Sequence, residues 1–369
     1  MGKMVSSMQM RALSSVMGLV FVAAAGVVQA DDHAVVLRYE EVAPNLNKQK
    51  GVSVDQFTAH IDYLEENGFT IWPLDKIVDY LRSGKPLPKN TVAITFDKAS
   101  RSVYQNAFPV LKERRYPFTV FTVPKDALED AKNSANWDEL REMAANGAAI
   151  ANLTYDYTYL VRQLDKETDK HWASRIRDEF AKANEMIQKE IGVSSNLVAY
   201  PYGEYDEKIR DIMKARRWVA FTTEPGGISA ASDFAALPRI SLNGYNADLK
   251  QFEVKLHSLP MPVASVESDK RIVDKKKNPP QLKLSLAEGS WPTDQFTCLL
   301  SGNGTKLPLK WDESKTSVTM KNTRALTPGR TSYTCTMPAG KNPYNGKPMQ
   351  YVYSVQWMVP LANGKWYKE

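Results

Sequence analysis

Histidine and cysteine are scarce in this 369-residue chain, which has four of one and two of the other. Two cysteines exclude a disulfide-dense scaffold. A composition 43% hydrophobic and 24% charged excludes disorder and collagen. No glycine-rich phosphate loop, no Gly-x-Ser-x-Gly elbow and no nucleic-acid motif occurs. After residue 30 no run is long and apolar enough to span a bilayer. The excess of positive charge, +6 overall, comes from scattered residues and reads as a solvated basic surface.

Acidic residues are absent before Asp31, whereas Lys3 and Arg11 make a positive leader. Ala12 to Val28 is an apolar run that closes in Val28-Gln29-Ala30, small residues at the positions a signal peptidase reads. Residues 1–30 are therefore predicted to be a signal peptide cut between Ala30 and Asp31, giving an exported, periplasmic or secreted product without a transmembrane segment. Losing Lys3 and Arg11 lowers the formal charge from +6 to +4. In an oxidising compartment, Cys298 and Cys335 are expected to pair.

From Val35 to about Pro262, strand-like runs alternate with helical patterns. Val35–Tyr39, Thr91–Phe96, Phe118–Val123, Ala148–Ala151, Leu197–Tyr200 and Val219–Thr222 read as strands. Phe57, Ile61 and Leu64, then Val103–Lys112, Trp137–Ala145 and Lys170–Ile191, read as helices. Such β–α repetition predicts a mainly parallel α/β sheet or barrel, with chemistry at the C-terminal strand ends. Glu267 to Gln281, charged and ending in Pro279-Pro280, reads as a linker. The domains expected are residues 31–265, a linker at 266–281, and an all-β domain at 282–369 with short alternating strands. There, Cys298, Trp311 and Cys335, with Tyr333 two residues before the second cysteine, resemble an immunoglobulin-type sandwich. That resemblance implies a bridge across two sheets with a tryptophan packed on it. Trp291, Trp311, Trp357 and Trp366 could stack on sugars, but core packing is the default.

Five segments carry a second resemblance: Leu37-Arg38-Tyr39, Ala93-Ile94-Thr95-Phe96-Asp97, Arg101-Ser102-Val103-Tyr104, Asn152 to Leu160, and Ala199 to Tyr205. In their order and spacing they resemble the polysaccharide deacetylase family, the NodB homology or carbohydrate esterase family 4 domain, in the style of secreted poly-N-acetylglucosamine deacetylases. The resemblance implies a distorted (β/α) barrel that removes acetyl groups from amino-sugar polymers. It also implies a divalent metal such as zinc, held by one Asp and two His, which activates water beside a carboxylate base.

Carried onto this chain, the resemblance places the base at Asp97 and substrate-binding residues at Tyr155, Pro201, Tyr202 and Gly203. The three ligand positions hold Lys98, Leu153 and Tyr157. Leucine has no donor atom, a protonated lysine repels a divalent ion, and tyrosine would ligate only as phenolate. No cofactor is therefore predicted. Lys98 is expected to pair with Asp97 and to supply the positive charge of the missing metal. Glu40, Glu41, Asp97 and Asp156 at one barrel mouth would be an alternative site for a hard cation, and Asp97 with Glu40 or Glu41 an alternative acid/base couple. His33, His60 and His171 are expected at surface or satisfied positions, and His257 lies out of register for a catalytic role. The function expected is an exported, catalytically impaired deacetylase homologue that binds or scaffolds amino-sugar polymer. Its rivals are an active deacetylase with a rearranged site and a structural envelope protein.

Overall fold

A computed structural model of the chain describes residues 32–44 and 51–367. The predicted signal peptide and its cleavage point lie outside the described residues. Six parallel strands, in chain order, make the centre of a nine-stranded principal sheet: β1 (His33–Tyr39), β2 (Thr91–Asp97), β3 (Phe118–Thr122), β4 (Ala148–Asn152), β5 (Leu197–Ala199) and β6 (Val219–Phe221). Every residue of β2 and β3 is buried. Helices covering both faces of a parallel sheet require such unbroken apolar runs.

Past β6 the chain returns to the first strand. Leu237 pairs with β6 through its N–H to Ala220 and its carbonyl to Thr222, both 2.8 Å, and the Leu242 N–H reaches Arg38 of β1 at 2.9 Å. Residues 237–242 therefore bridge the two edges of a curled sheet. Arg239 sits in the middle of that bridge, wholly buried.

Helix ends follow local chemistry. Ser53 and Gln56 form a reciprocal capping box at the start of Val54–Glu66, and that helix buries Phe57, His60, Ile61 and Leu64. His60 is a satisfied core residue. Its Nε2 lies 2.9 Å from the Ala247 carbonyl, which can only accept, so Nδ1 accepts from the Tyr39 hydroxyl at 3.1 Å. Burial pushes the His60 pKa down to about 4. The Val103–Lys112 helix is divided into a wider turn over Val103–Ala107 and an α-helix over Phe108–Arg114.

The C-terminal part is two four-stranded sheets. One runs Ser258–Pro260, Pro348–Val359, Gly329–Lys341, Thr297–Leu300, and the other Val263–Ser268, Gln281–Leu286, Ser317–Lys321, Leu309–Trp311. Leu282, Leu284, Val318, Met320, Met337 and Trp357 share one buried cluster. The bridge differs from the expected one. Cys298 and Cys335 are bonded, but they are directly opposed residues on neighbouring strands of one sheet. The chain between them builds two strands of the other sheet and then returns beside its starting strand. Trp311 packs edge-on to Phe296 at 5.5 Å, while the fully buried tryptophan is Trp357, edge-on to Tyr333 at 5.4 Å.

Glu267 to Gln281, expected as a linker, is also built in. Its first residues end the strand Val263–Ser268, Arg271 and Val273 are buried, and Ile272 bridges to Met358. Their apolar and guanidinium contacts hold down a segment whose composition reads as solvated.

Candidate functional site

Parallel strands deliver their C-terminal ends to one mouth. β1 brings Arg38 and leads into Glu40; β2 ends at Asp97 and leads into Lys98; the segment after β4 carries Leu153 to Tyr157; the turn after β5 is Pro201-Tyr202-Gly203. Asp97 is nearly fully buried, and its carboxylate is claimed from two sides. Arg239 binds it with two nitrogens, Nη1 to Oδ1 at 2.7 Å and Nη2 to Oδ2 at 3.0 Å. Arg38 Nε donates to Oδ2 as well. Arg38 Nη2 then reaches Glu40 Oε2 at 3.0 Å, and Lys98 Nζ takes the other Glu40 oxygen at 2.9 Å. Three cations thus face two carboxylates in one chain of contacts.

Burial alone would raise the Asp97 pKa, but Arg239 and Arg38 outweigh it and hold the carboxyl at about 2. The Arg38 guanidinium is likewise held above its ordinary range, with Asp97 and Glu40 offsetting its desolvation. A carboxylate with this bidentate partner and a second guanidinium is a poor proton acceptor at neutral pH.

The expected Lys98–Asp97 pair does not form. Lys98 adopts a left-handed backbone, φ +68°, at the strand end, and its side chain runs over the Tyr157 ring, 4.4 Å from the centroid, to Glu40. The positive charge that stabilises Asp97 comes instead from Arg38 and Arg239. Nor do Glu40, Glu41, Asp97 and Asp156 converge on a cation. Glu40 and Asp97 are bridged by Arg38, and Asp156 is paired with Lys125 at 2.9 Å. Among the described residues no group of three His, Cys, Asp or Glu side chains could hold a metal ion.

Leu153 and Tyr157, where the resemblance implies ligands, do not fit a divalent metal either. Leu153 is fully buried in an apolar cluster with Phe121 and Phe221, against which the Tyr157 ring packs. Burial drives the Tyr157 pKa upward, away from the phenolate a metal would need. The Tyr157 oxygen accepts from the Tyr202 N–H at 3.3 Å. Tyr202 in turn stacks face to face on Tyr159, with centroids 4.3 Å apart and planes 9° from parallel. Arg162 lies 3.4 Å from the Tyr159 ring, and Lys182 lies 3.5 Å from the Tyr155 ring. Gly203 completes the turn at φ +70°, where a Cβ would sit 2.1 Å from Thr223 Oγ1, so only glycine fits. The other histidines stand apart from the mouth. His171 is exposed on the Asp169–Ile191 helix, His33 opens β1, and His257 is buried near Asn342.

Sequence reasoning missed Arg239 and gave Arg38 no role. Each is a lone arginine inside an apolar stretch, Val-Val-Leu-Arg-Tyr and Ala-Leu-Pro-Arg-Ile. That was the available signal, since a buried guanidinium requires a buried anion.

Residues 84–217 match the family model described as polysaccharide deacetylase. That span holds Asp97, Lys98, Leu153, Tyr157 and Tyr202 but neither arginine that binds Asp97. The chain is 29% identical over 203 residues to the poly-beta-1,6-N-acetyl-D-glucosamine N-deacetylase of Staphylococcus aureus (strain MSSA476), covering 53% of this chain and 69% of the relative. It is 26% identical over 223 residues to the protein of that name from Escherichia coli (strain K12), covering 52% of this chain but only 33% of the relative. Among solved structures, IcaB from Ammonifex degensii superposes with a TM-score of 0.53 at 24% identity, covering 61% of this chain and 97% of that one. The Streptococcus pyogenes deacetylase PplD in complex with acetate gives 0.53 at 18%, covering 60% and 98%. These likenesses carry the α/β deacetylase fold.

Proposed function

We propose that this chain, built on a polysaccharide-deacetylase-type domain, binds amino-sugar polymer at the cell envelope and does not perform metal-dependent deacetylation. The observation that carries the reading is the state of Asp97. The one retained carboxylate of the site is locked between Arg38 and Arg239, while Lys98, Leu153 and Tyr157 stand where the resemblance places the ligands. The relatives' names make poly-β-1,6-N-acetylglucosamine the polymer to try first. The tyrosines lining the mouth, Tyr155, Tyr157, Tyr159 and Tyr202, offer ring edges and hydroxyls of the kind that recognise sugars. Export through residues 1–30 is part of the same proposal.

The test combines metal analysis, acetate release and binding on β-1,6-linked N-acetylglucosamine oligomers. The expected outcome is no stoichiometric zinc, cobalt or nickel, no acetate, and binding that Tyr202→Ala weakens. Metal-dependent acetate release would establish the rival, an active deacetylase with a rearranged site. Absence of any binding would leave a structural envelope protein. Restoring the donors in a Lys98→Asp, Leu153→His, Tyr157→His variant should bring back metal binding if the mouth otherwise keeps the deacetylase geometry.

A further inference from the structure

The C-terminal sheets reach the mouth through a second buried carboxylate. Glu224 follows β6 and is almost fully buried. Its Oε1 accepts from the Gln356 N–H at 2.6 Å and from Arg271 Nη1, and its Oε2 accepts from the Tyr205 hydroxyl at 3.1 Å. The Arg271 guanidinium also lies 4.1 Å from the Tyr205 ring centroid and donates to the Gln356 carbonyl at 3.3 Å. Two of these partners come from the C-terminal part of the chain: Gln356 from the strand Pro348–Val359, and Arg271 from the segment whose composition reads as a linker.

Glu224 also touches the bridge that closes the sheet. Its carbonyl accepts from the Arg239 N–H at 3.0 Å, and its own N–H donates to Thr222 Oγ1 at 3.1 Å. The Thr222 carbonyl accepts from Arg239 Nε at 2.9 Å, and Arg239 grips Asp97. A continuous buried path therefore runs Arg271–Glu224–Arg239–Asp97, with backbone bonds fixing both sides of Glu224. A branch of it, Gln356 Nε2 to the Gly203 carbonyl at 3.4 Å, reaches the turn that carries Tyr202.

We infer that Arg271 is a positioning residue for the barrel mouth: by holding Glu224, it fixes the 237–242 bridge and thereby the guanidinium that grips Asp97. The C-terminal sheets are then a working wall of the barrel and not a detachable accessory. This inference goes beyond the polymer-binding reading and does not depend on it.

Hydrogen exchange on the full chain tests it. In Arg271→Met, the amides of Leu237, Arg239 and Leu242 should exchange at least about fivefold faster, within the coupling range for groups of one network, while β3 and β4 stay unchanged. Arg271→Lys should restore most of the protection. Acceleration confined to 271–273 and 352–358 would overturn the inference, and so would uniform acceleration throughout the barrel. Should Arg271→Met fail to fold, Tyr205→Phe removes only one hydrogen bond to Glu224. The same pattern at smaller amplitude is then expected, and its absence would equally overturn the inference. Because none of these readouts involves glycan, failure of the binding reading leaves the result interpretable.

Discussion

Asp97 at the barrel mouth and Glu204 at the junction with the C-terminal sheets are both buried carboxylates held by two arginines, yet they are satisfied differently. Asp97 has both oxygens engaged, one of them twice, by residues of the barrel itself. Glu204 concentrates Arg162, Arg330 and the Tyr367 hydroxyl on Oε1, and no described residue donates to Oε2. Its donors come from the barrel, the strand Gly329–Lys341 and the chain's last described residue. The contrast teaches that charge burial has two uses here. At the mouth it saturates a carboxylate at the end of a strand, and at the junction it docks one layer on another. Removing one member of a buried pair costs far more than never having had the pair, because the other charge stays behind.

The largest effect should follow from breaking the saturated pair. Arg239→Met leaves Asp97 with one partner in the barrel interior and should cost about 3–5 kcal/mol in denaturant unfolding. A loss near zero would mean that Arg38 suffices and that the two sites are alike. The pH profile comes next. His60 is neutral in the fold with a pKa of about 4 and takes up a proton near 6.5 when unfolded, so the unfolded state gains the proton first as pH falls. Stability should be complete above pH 6.5 and drop by roughly 3 kcal/mol on the way to pH 4.

Asp97 acts in a lower window with the sign of a depressed acid. Its contribution is present above 3.8 and is lost as pH falls toward about 2, roughly 2 kcal/mol in all. His60→Gln should remove the upper step and leave the lower one, which separates core from mouth. At the junction, Tyr367→Phe deletes the shortest donor to Glu204, 2.7 Å, and should cost about 1.5–2 kcal/mol, as for a bond to a charged group. Smallest of all is Lys98→Met, whose partly exposed contact with Glu40 should be worth less than about 1 kcal/mol of stability. A larger loss would restore to Lys98 the role that Arg38 and Arg239 hold.

The curled α/β sheet was legible in the sequence because parallel strands covered on both faces must be continuous buried runs, as Thr91–Asp97 and Phe118–Thr122 are. Asp97, Lys98, Leu153 and Tyr157 were legible as positions in short motifs, and the structure places them at or behind one mouth. The partners of Asp97 were not, since Arg38 lies 59 residues before it and Arg239 lies 142 after it, and no local pattern encodes that meeting. The C-terminal strands were half legible. Gln281–Leu286 alternates cleanly, whereas Val263–Ser268 is an exposed edge strand with no buried face to mark it. The sheet-to-sheet bridge was misread because two cysteines on opposed positions of adjacent strands leave the same sequence trace as two on facing sheets.

The bridge at 237–242 also ties early parts of the chain to late ones. As the chain is completed from its N-terminus, Asp97 is present long before Arg239, and Glu224 long before Gln356. Until those late segments arrive, the half-formed barrel carries carboxylates that must remain hydrated, so its interior stays open to water. Truncation ahead of residue 356 should therefore strip Glu224 of the Gln356 N–H and leave that carboxylate under-satisfied, while Asp97 keeps both of its arginines.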